Sequence, residues 1–141
     1  MAITLNNKVG VKINSVDLSD HVTSVTLNQA FDELEVTAMG DTAHKFVKGL
    51  ESATLTVSFL NDQGAASVLD TLSDAFGTTV PWKLVQDASS PVTISATNKL
   101  WSGDLLVNNL TPINGATGDM ATMDITFTVN SAVTVADTGT F

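Results

Sequence analysis

Ser52-Ala-Thr-Leu-Thr-Val-Ser-Phe-Leu60, followed without a break by Asn61 to Gly77, is the stretch that decides the fold. Strand side chains alternate between faces, so Ala53, Leu55, Val57 and Phe59 share one side and can be buried. Ser52, Thr54, Thr56 and Ser58 share the other, a hydroxyl-lined and uncharged side that implies solvent. In the following segment the period changes. Ala65, Val68, Leu69, Leu72 and Phe76 recur at helical spacing, Asn61 or Asp62 can cap, and Gly77 ends the run. The spacing predicts a helix lying on the outside of a sheet, with Gln63, Ser67, Asp70, Thr71 and Asp74 facing water.

The same alternation recurs along the chain. Asp119 to Val129 places Ala121, Met123, Ile125, Phe127 and Val129 inward, and Met120, Thr122, Asp124, Thr126 and Thr128 outward. Val9 to Ile13 and Val22 to Asn28 read as strands around a turn at Asn14 to His21, with Val25 and Leu27 opposite Ser24, Thr26 and Asn28. Phe31 to Met39 reads as a further strand, with Leu34, Val36 and Ala38 on one face and Glu33, Glu35 and Thr37 on the other. Val80 to Asp87, Val92 to Ala96 and Trp101 to Val107 complete the set of about eight strands. Gly40 to Gly49 follows neither period, is bracketed by glycines and carries Lys45 and Lys48, which predicts an exposed loop. Phe46 and Val47 in that loop call for a partner. Residues 1–8 and 130–141 read as arms. The expected fold is mainly β, a two-sheet sandwich or partly closed barrel with one flanking helix, in a single domain over 1–141.

Composition narrows the function. The chain has 141 residues, enough to bury roughly 70% of its unfolded surface without disulfides, and it contains no cysteine. Thiolate metal sites and cysteine nucleophiles are thereby excluded. Only 15% of residues are charged, against about 25% in ordinary globular proteins. So ion-poor a surface suits burial by partners. The charges present are one-sided: 15 acids against 6 lysines, no arginine, and a net charge of -9. Stable binding to phosphate backbones needs clustered Lys and Arg, so DNA binding and arginine-clamped phosphoryl transfer are both disfavoured. Met1 leads into Ala2 to Lys8 without the pattern of a secretory signal, and no window is long and apolar enough for a membrane span, which predicts a soluble product of the cytoplasm without a membrane partner.

Catalytic and ligand-binding patterns are weak. There is no P-loop, no G-x-S-x-G elbow and no H-E-x-x-H. His21 beside Asp20 and His44 beside Asp41 lack zinc spacing, and Asp119 to Asp124 lacks the oxygen density of a calcium loop. Glu33 and Glu35 imitate a glycosidase pair but read as a solvated strand face. Trp82 and Trp101 offer an alternative of another class, stacking on a sugar in a carbohydrate-binding sandwich. An enzyme, a metal site and a cofactor are therefore not expected, and function is sought in surfaces.

Taken together, Val16-Asp-Leu-Ser-Asp-His21, Leu34-Glu-Val-Thr-Ala-Met-Gly-Asp-Thr-Ala-His44, Lys48-Gly-Leu50, the strand through Phe59, and Ser95-Ala-Thr-Asn98 resemble the major tail tube proteins of long-tailed, siphovirus-type bacteriophages. The similarity runs from Asp17 to about Val129 and rests on order and spacing. The resemblance implies two packed sheets with a flanking helix, six copies closing into a ring, and rings stacking into a tube for DNA ejection. It implies a place in the virion tail after assembly in a bacterial cytoplasm. Its partners would be the chain itself, the tape measure and the tail terminator, with DNA as passing cargo. Under this expectation Glu33, Glu35, Thr37, Thr54, Thr56, Ser58, Thr122, Asp124, Thr126 and Thr128 include the lumen surface. Asp41, Thr42, His44, Lys45, Phe46, Val47 and Lys48 of the 40–49 loop form the contact between subunits. Another ring protein of a tail or tube-type injection apparatus is the nearest alternative.

Overall fold

A computed structural model describes Ile3 and residues 5–141. It is mainly β with one short helix: β1 Gly10–Ile13, β2 Val16–Asp17, a 3-10 turn Ser19–His21, β3 Val22–Glu35, β4 Phe46–Leu60, α1 Val68–Asp74, β5 Thr79–Val85, β6 Leu100–Leu106, β7 Thr122–Val129 and β8 Thr134–Ala136. The strands form one antiparallel sheet in the order β2-β1-β5-β6-β7-β4-β3, with β8 on β6. The two layers expected from sequence are thus two halves of a continuous sheet. β6 pairs with β7 only at Leu105 and Leu106, and its opening residues pair with β8 instead. That divergence lets the halves face each other. Ala53, Leu55, Val57 and Phe59 of β4 and Met123, Ile125, Phe127 and Val129 of β7 pack in one core with Val11, Ile13, Trp82 and Leu84 of β1 and β5. Burying each such side chain stabilises the fold by roughly 1.5–3 kcal/mol. Among the described residues the sheet does not close.

α1 contributes Val68, Leu69 and Leu72 to the same core. It begins five residues later than the cap position Asp62 predicts, with Ser67 at the cap. Asp62 spends its carboxylate on a preceding turn, accepting from Gly64 N–H at 2.8 Å and Ser67 Oγ at 2.9 Å, and Ala66 then takes a positive φ that no helix tolerates. Past the helix, Ala75 is buried and Phe76 is 57% exposed, so Phe76 leaves the predicted apolar stripe.

Three further expectations are corrected. Val92 to Ala96 is not a strand; a single Ser95–Asn98 bridge stands there. Asn98 explains this, since its side chain donates to the carbonyls of Asp87 and Thr93 and accepts from Asp87 N–H, satisfying backbone groups that a ladder would otherwise use. Residues 130–141 are not a free arm: β8 pairs with β6, Lys83 Nζ donates to Thr140 O at 2.9 Å, Lys99 meets Asp137, and Lys12 Nζ lies 4.8 Å from the Phe141 ring. Of the opposite arm, Met1, Ala2 and Thr4 lie outside the described residues.

The third correction concerns the loop at 40–49. Phe46, Val47, Lys48 and Gly49 belong to β4, and the segments predicted as Val22–Asn28 and Phe31–Met39 are one continuous β3 ending at Glu35. Together they make a long hairpin whose tip is residues 36–45. Glu33 pairs with Lys48, Leu34 with Val47 and Glu35 with Phe46. Backbone pairing with β3 supplies what the hydrophobic pattern of 46–49 lacks. A bulge sets Asp32 against both Gly49 and Leu50. Gly49 is required there, because a Cβ would come within 2.9 Å of the Asp32 backbone oxygen.

Candidate assembly surface

β3, β4 and β7 are adjacent and in register, and their outward residues form an array of three rungs across three strands. Ser24, Ser58 and Asp124 make one rung, Thr26, Thr56 and Thr126 the next, and Asn28, Thr54 and Thr128 the third. Thr56 Oγ1 and Thr126 Oγ1 lie 3.0 Å apart across the ladder, and Asn108 Nδ2 donates to Thr128 Oγ1 at 3.4 Å. The reverse of this array is core: Val25, Val57 and Ile125 pair behind it, as do Leu27, Leu55 and Phe127. The face is hydroxyl and amide with one carboxylate, Asp124, and no lysine stands in its nine positions. Thr122 lies on the same side at its end, half-buried opposite Leu60.

This arrangement unites six of the expected lumen residues, Thr54, Thr56, Ser58, Asp124, Thr126 and Thr128, with Thr122 at the margin. It separates the other three. Alternation along the unbroken β3 puts Glu33 and Glu35 on the side of Val25 and Leu27, opposite Thr26 and Thr56, and Thr37 lies beyond the strand at the hairpin tip. Ser24, Thr26 and Asn28, whose polar alternation is visible in the sequence, replace them.

The hairpin extends past the core and carries exposed apolar side chains on both sides. Leu34, Val36 and Val47 continue the side of the hydroxyl array; Phe31 and Phe46 lie on the other, with Glu33, Glu35 and Lys48. Lys48 Nζ sits 5.8 Å from the Phe31 ring. At the tip, His44 Nδ1 is 2.6 Å from Glu35 Oε2, and Lys45 bridges to Asp41 at 2.9 Å. Ala38 N–H donates to Asp41, and this bond with Lys45 holds the Asp41 carboxyl below its ordinary pKa. The Asp41, Thr42, His44 and Lys45 positions thus sit on a turn and the Phe46, Val47 and Lys48 positions on a strand.

The histidines pair away from their sequence neighbours: His21 Nε2 meets Asp62 at 2.9 Å and His44 meets Glu35, rather than Asp20 and Asp41. Among the described residues no three His or acidic side chains gather into a metal-sized cluster. Trp82 is 1% exposed within the core and Trp101 is half-buried, so the two do not form an open stacking platform.

β3 ends the sheet order, and among the described residues no strand pairs with its outer edge. From Val22 to Phe31 this edge has no charge or proline, two of the devices by which sheets ordinarily guard an open border, and a bulge at Thr23 is its one irregularity.

No protein-family model matches the sequence, and comparison with curated proteins finds no match. The fold is shared with solved structures. A chain from the virion of a native gene transfer agent particle superposes with a TM-score of 0.75 at 9% identity, over 95% of this chain and 99% of that one. A chain from the sheath/tube terminator of the PVC extracellular contractile injection system, in its extended state, gives 0.66 at 16% identity, over 96% and 98%. At these identities the likeness is one of fold, and it extends over nearly the whole of each chain.

Proposed function

We propose that this chain is a structural tail tube subunit that assembles with copies of itself into stacked rings, through which DNA passes during ejection. The observation that carries the reading is the array built on β3, β4 and β7: a nearly uncharged hydroxyl face backed by core and ending at an uncharged, unpaired strand edge. A second copy completing that edge removes the liability of unpaired main-chain groups. Repetition around a ring turns the face into a bore with Asp124 as its one recurring charge, which offers a phosphate backbone nothing to hold. The hairpin, with Leu34, Val36, Phe46 and Val47 exposed, is the device that reaches a neighbouring subunit or ring. Six copies per ring, and the tape measure and tail terminator as further partners, belong to this reading. The full-length fold likeness to chains of a virion and an injection particle supports it.

Negative-stain microscopy of the concentrated protein tests the proposal. Stacked rings or tubes with hollow centres are the expected result. Dispersed globules that bind glycans on an array would replace it with a carbohydrate-binding module. A ring protein of a tube-type injection apparatus is a second reading, favoured by the likeness to the terminator chain; single rings that never lengthen would select it.

A further inference from the structure

On the core side of the β3 edge, where the sheet fails to close, lies a groove of about 470 Å³. Val25, Leu27 and Gln29 form one wall; Leu84, Gln86 and Trp101 form the other. In a chain of net charge -9, the described residues that line this groove include no charged side chain. Half-buried Val25, Leu27 and Trp101 give it an apolar floor. Amides and hydroxyls of Asn6, Asn7, Thr23, Gln29 and Gln86 also line it, so the groove suits an uncharged segment with apolar side chains on one side and main-chain polar groups on the other.

The residues just before β1 have that chemistry. Ala2-Ile-Thr-Leu-Asn-Asn7 holds no charge, and Ile3 and Leu5, two apart, would share one side of the segment once it is bound in extended form. Ile3 is 84% exposed and Leu5 76% exposed, so neither occupies the groove of its own chain. Asn6 is anchored at the groove lip by Gln86 Nε2, which donates to its side-chain oxygen at 2.6 Å. A tight turn follows, with Asn7 N–H donating to Leu5 O at 2.9 Å. The anchored turn directs Leu5 away from its own groove.

We infer that Ile3 and Leu5 of one copy seat in the groove of a second copy, adding an extended segment along the β3 edge over Val25 and Leu27. This rests on the self-assembly reading above and names the segment that completes the edge. Adding a strand supplies main-chain hydrogen bonds, and the two apolar side chains supply the specificity. The donor's own anchor at Asn6 limits how far it can reach, so the contact runs between adjacent copies.

The chain's lack of cysteine makes the test direct. Double variants Leu5→Cys with Gln29→Cys and Leu5→Cys with Thr23→Cys place thiols on exposed positions at the segment and at two heights along the groove, and are oxidised at assembly concentration. Disulfides need Cα atoms about 4.4–6.8 Å apart. Interchain dimers and higher ladders in at least one variant, with Leu5→Cys alone giving none, are expected. Intrachain closure, seen as a monomer of shifted mobility, would overturn the exchange between copies, as would the absence of any crosslink in either variant. Microscopy of the wild type separates the two proposals. Tubes without the crosslink sink the groove assignment and keep the tube; interchain crosslinks without rings or tubes do the reverse.

Discussion

Lys48 stands directly across the β3–β4 ladder from Glu33, on the side of the sheet opposite the Thr56 and Thr126 hydroxyls. The charged pair and the hydroxyl array therefore face different surroundings in any assembly. Lys48 Nζ lies over the Phe31 ring instead of bridging to Glu33, and opposite charges at exposed cross-strand positions contribute roughly 0.2–1 kcal/mol. Lys48→Glu should lower the denaturation midpoint of the monomer only slightly, and a large loss of stability would show that the hairpin is not the solvated projection described.

The hairpin's contribution to assembly is separable from folding. Leu34 and Val47 are paired and half-exposed beyond the core. Leu34→Asp with Val47→Asp should leave a folded monomer by circular dichroism that forms no tubes under the microscope. Tubes of normal length would assign the contact elsewhere.

Charge on the hydroxyl array should govern passage of DNA. Substituting Thr126 or Asp124 by Lys adds one cation per copy, and a ring multiplies it into a salt-dependent hold on the phosphate backbone. Virions with intact tails carrying either variant should eject DNA more slowly, most of all at low salt. Unchanged kinetics would remove the array from the bore.

The core behind the array is the stability determinant. Phe127 is fully buried opposite Leu55, and Phe127→Ala should cost about 3–5 kcal/mol through lost burial and a residual cavity. That is a large share of the ~5–15 kcal/mol typical of a domain. Thr126→Ala on the solvent side of the same strand should cost under about 1 kcal/mol. Urea unfolding of both variants checks the contrast.

Acid should weaken the turn that precedes α1. The Asp62 carboxyl is held below its ordinary value of 3.8 mainly by Gly64 N–H and Ser67 Oγ, with His21 adding a smaller attraction. A carboxyl whose pKa is lower in the folded than in the unfolded chain contributes stability that is complete above the unfolded value. That contribution fades as pH falls through the folded one. Asp62→Asn should therefore lower stability at neutral pH and flatten the loss of stability below pH 3.8, measured as urea midpoints across that range.

The amino-acid sequence by itself determined the two faces of β4 and β7. A period of two assigns Leu55, Val57, Ile125 and Phe127 to one side and Thr54, Thr56, Asp124 and Thr126 to the other, whatever strand lies alongside. It also left the outward positions of 52–58 and 122–128 without a lysine, which is read directly from those residues. Which strands are neighbours was decided by the tertiary structure, because any antiparallel partner satisfies the same alternation. So was the side on which Glu33 and Glu35 lie. Their orientation follows from whether β3 runs unbroken through Gln29 and Ala30, and local sequence does not fix that. Pairing with β4 carries the strand through, and the parity of Val25 and Leu27 then extends to both glutamates. The same ladder drew Phe46 to Gly49 out of a predicted loop, since backbone hydrogen bonding to a partner strand needs no hydrophobic period in the segment that joins it.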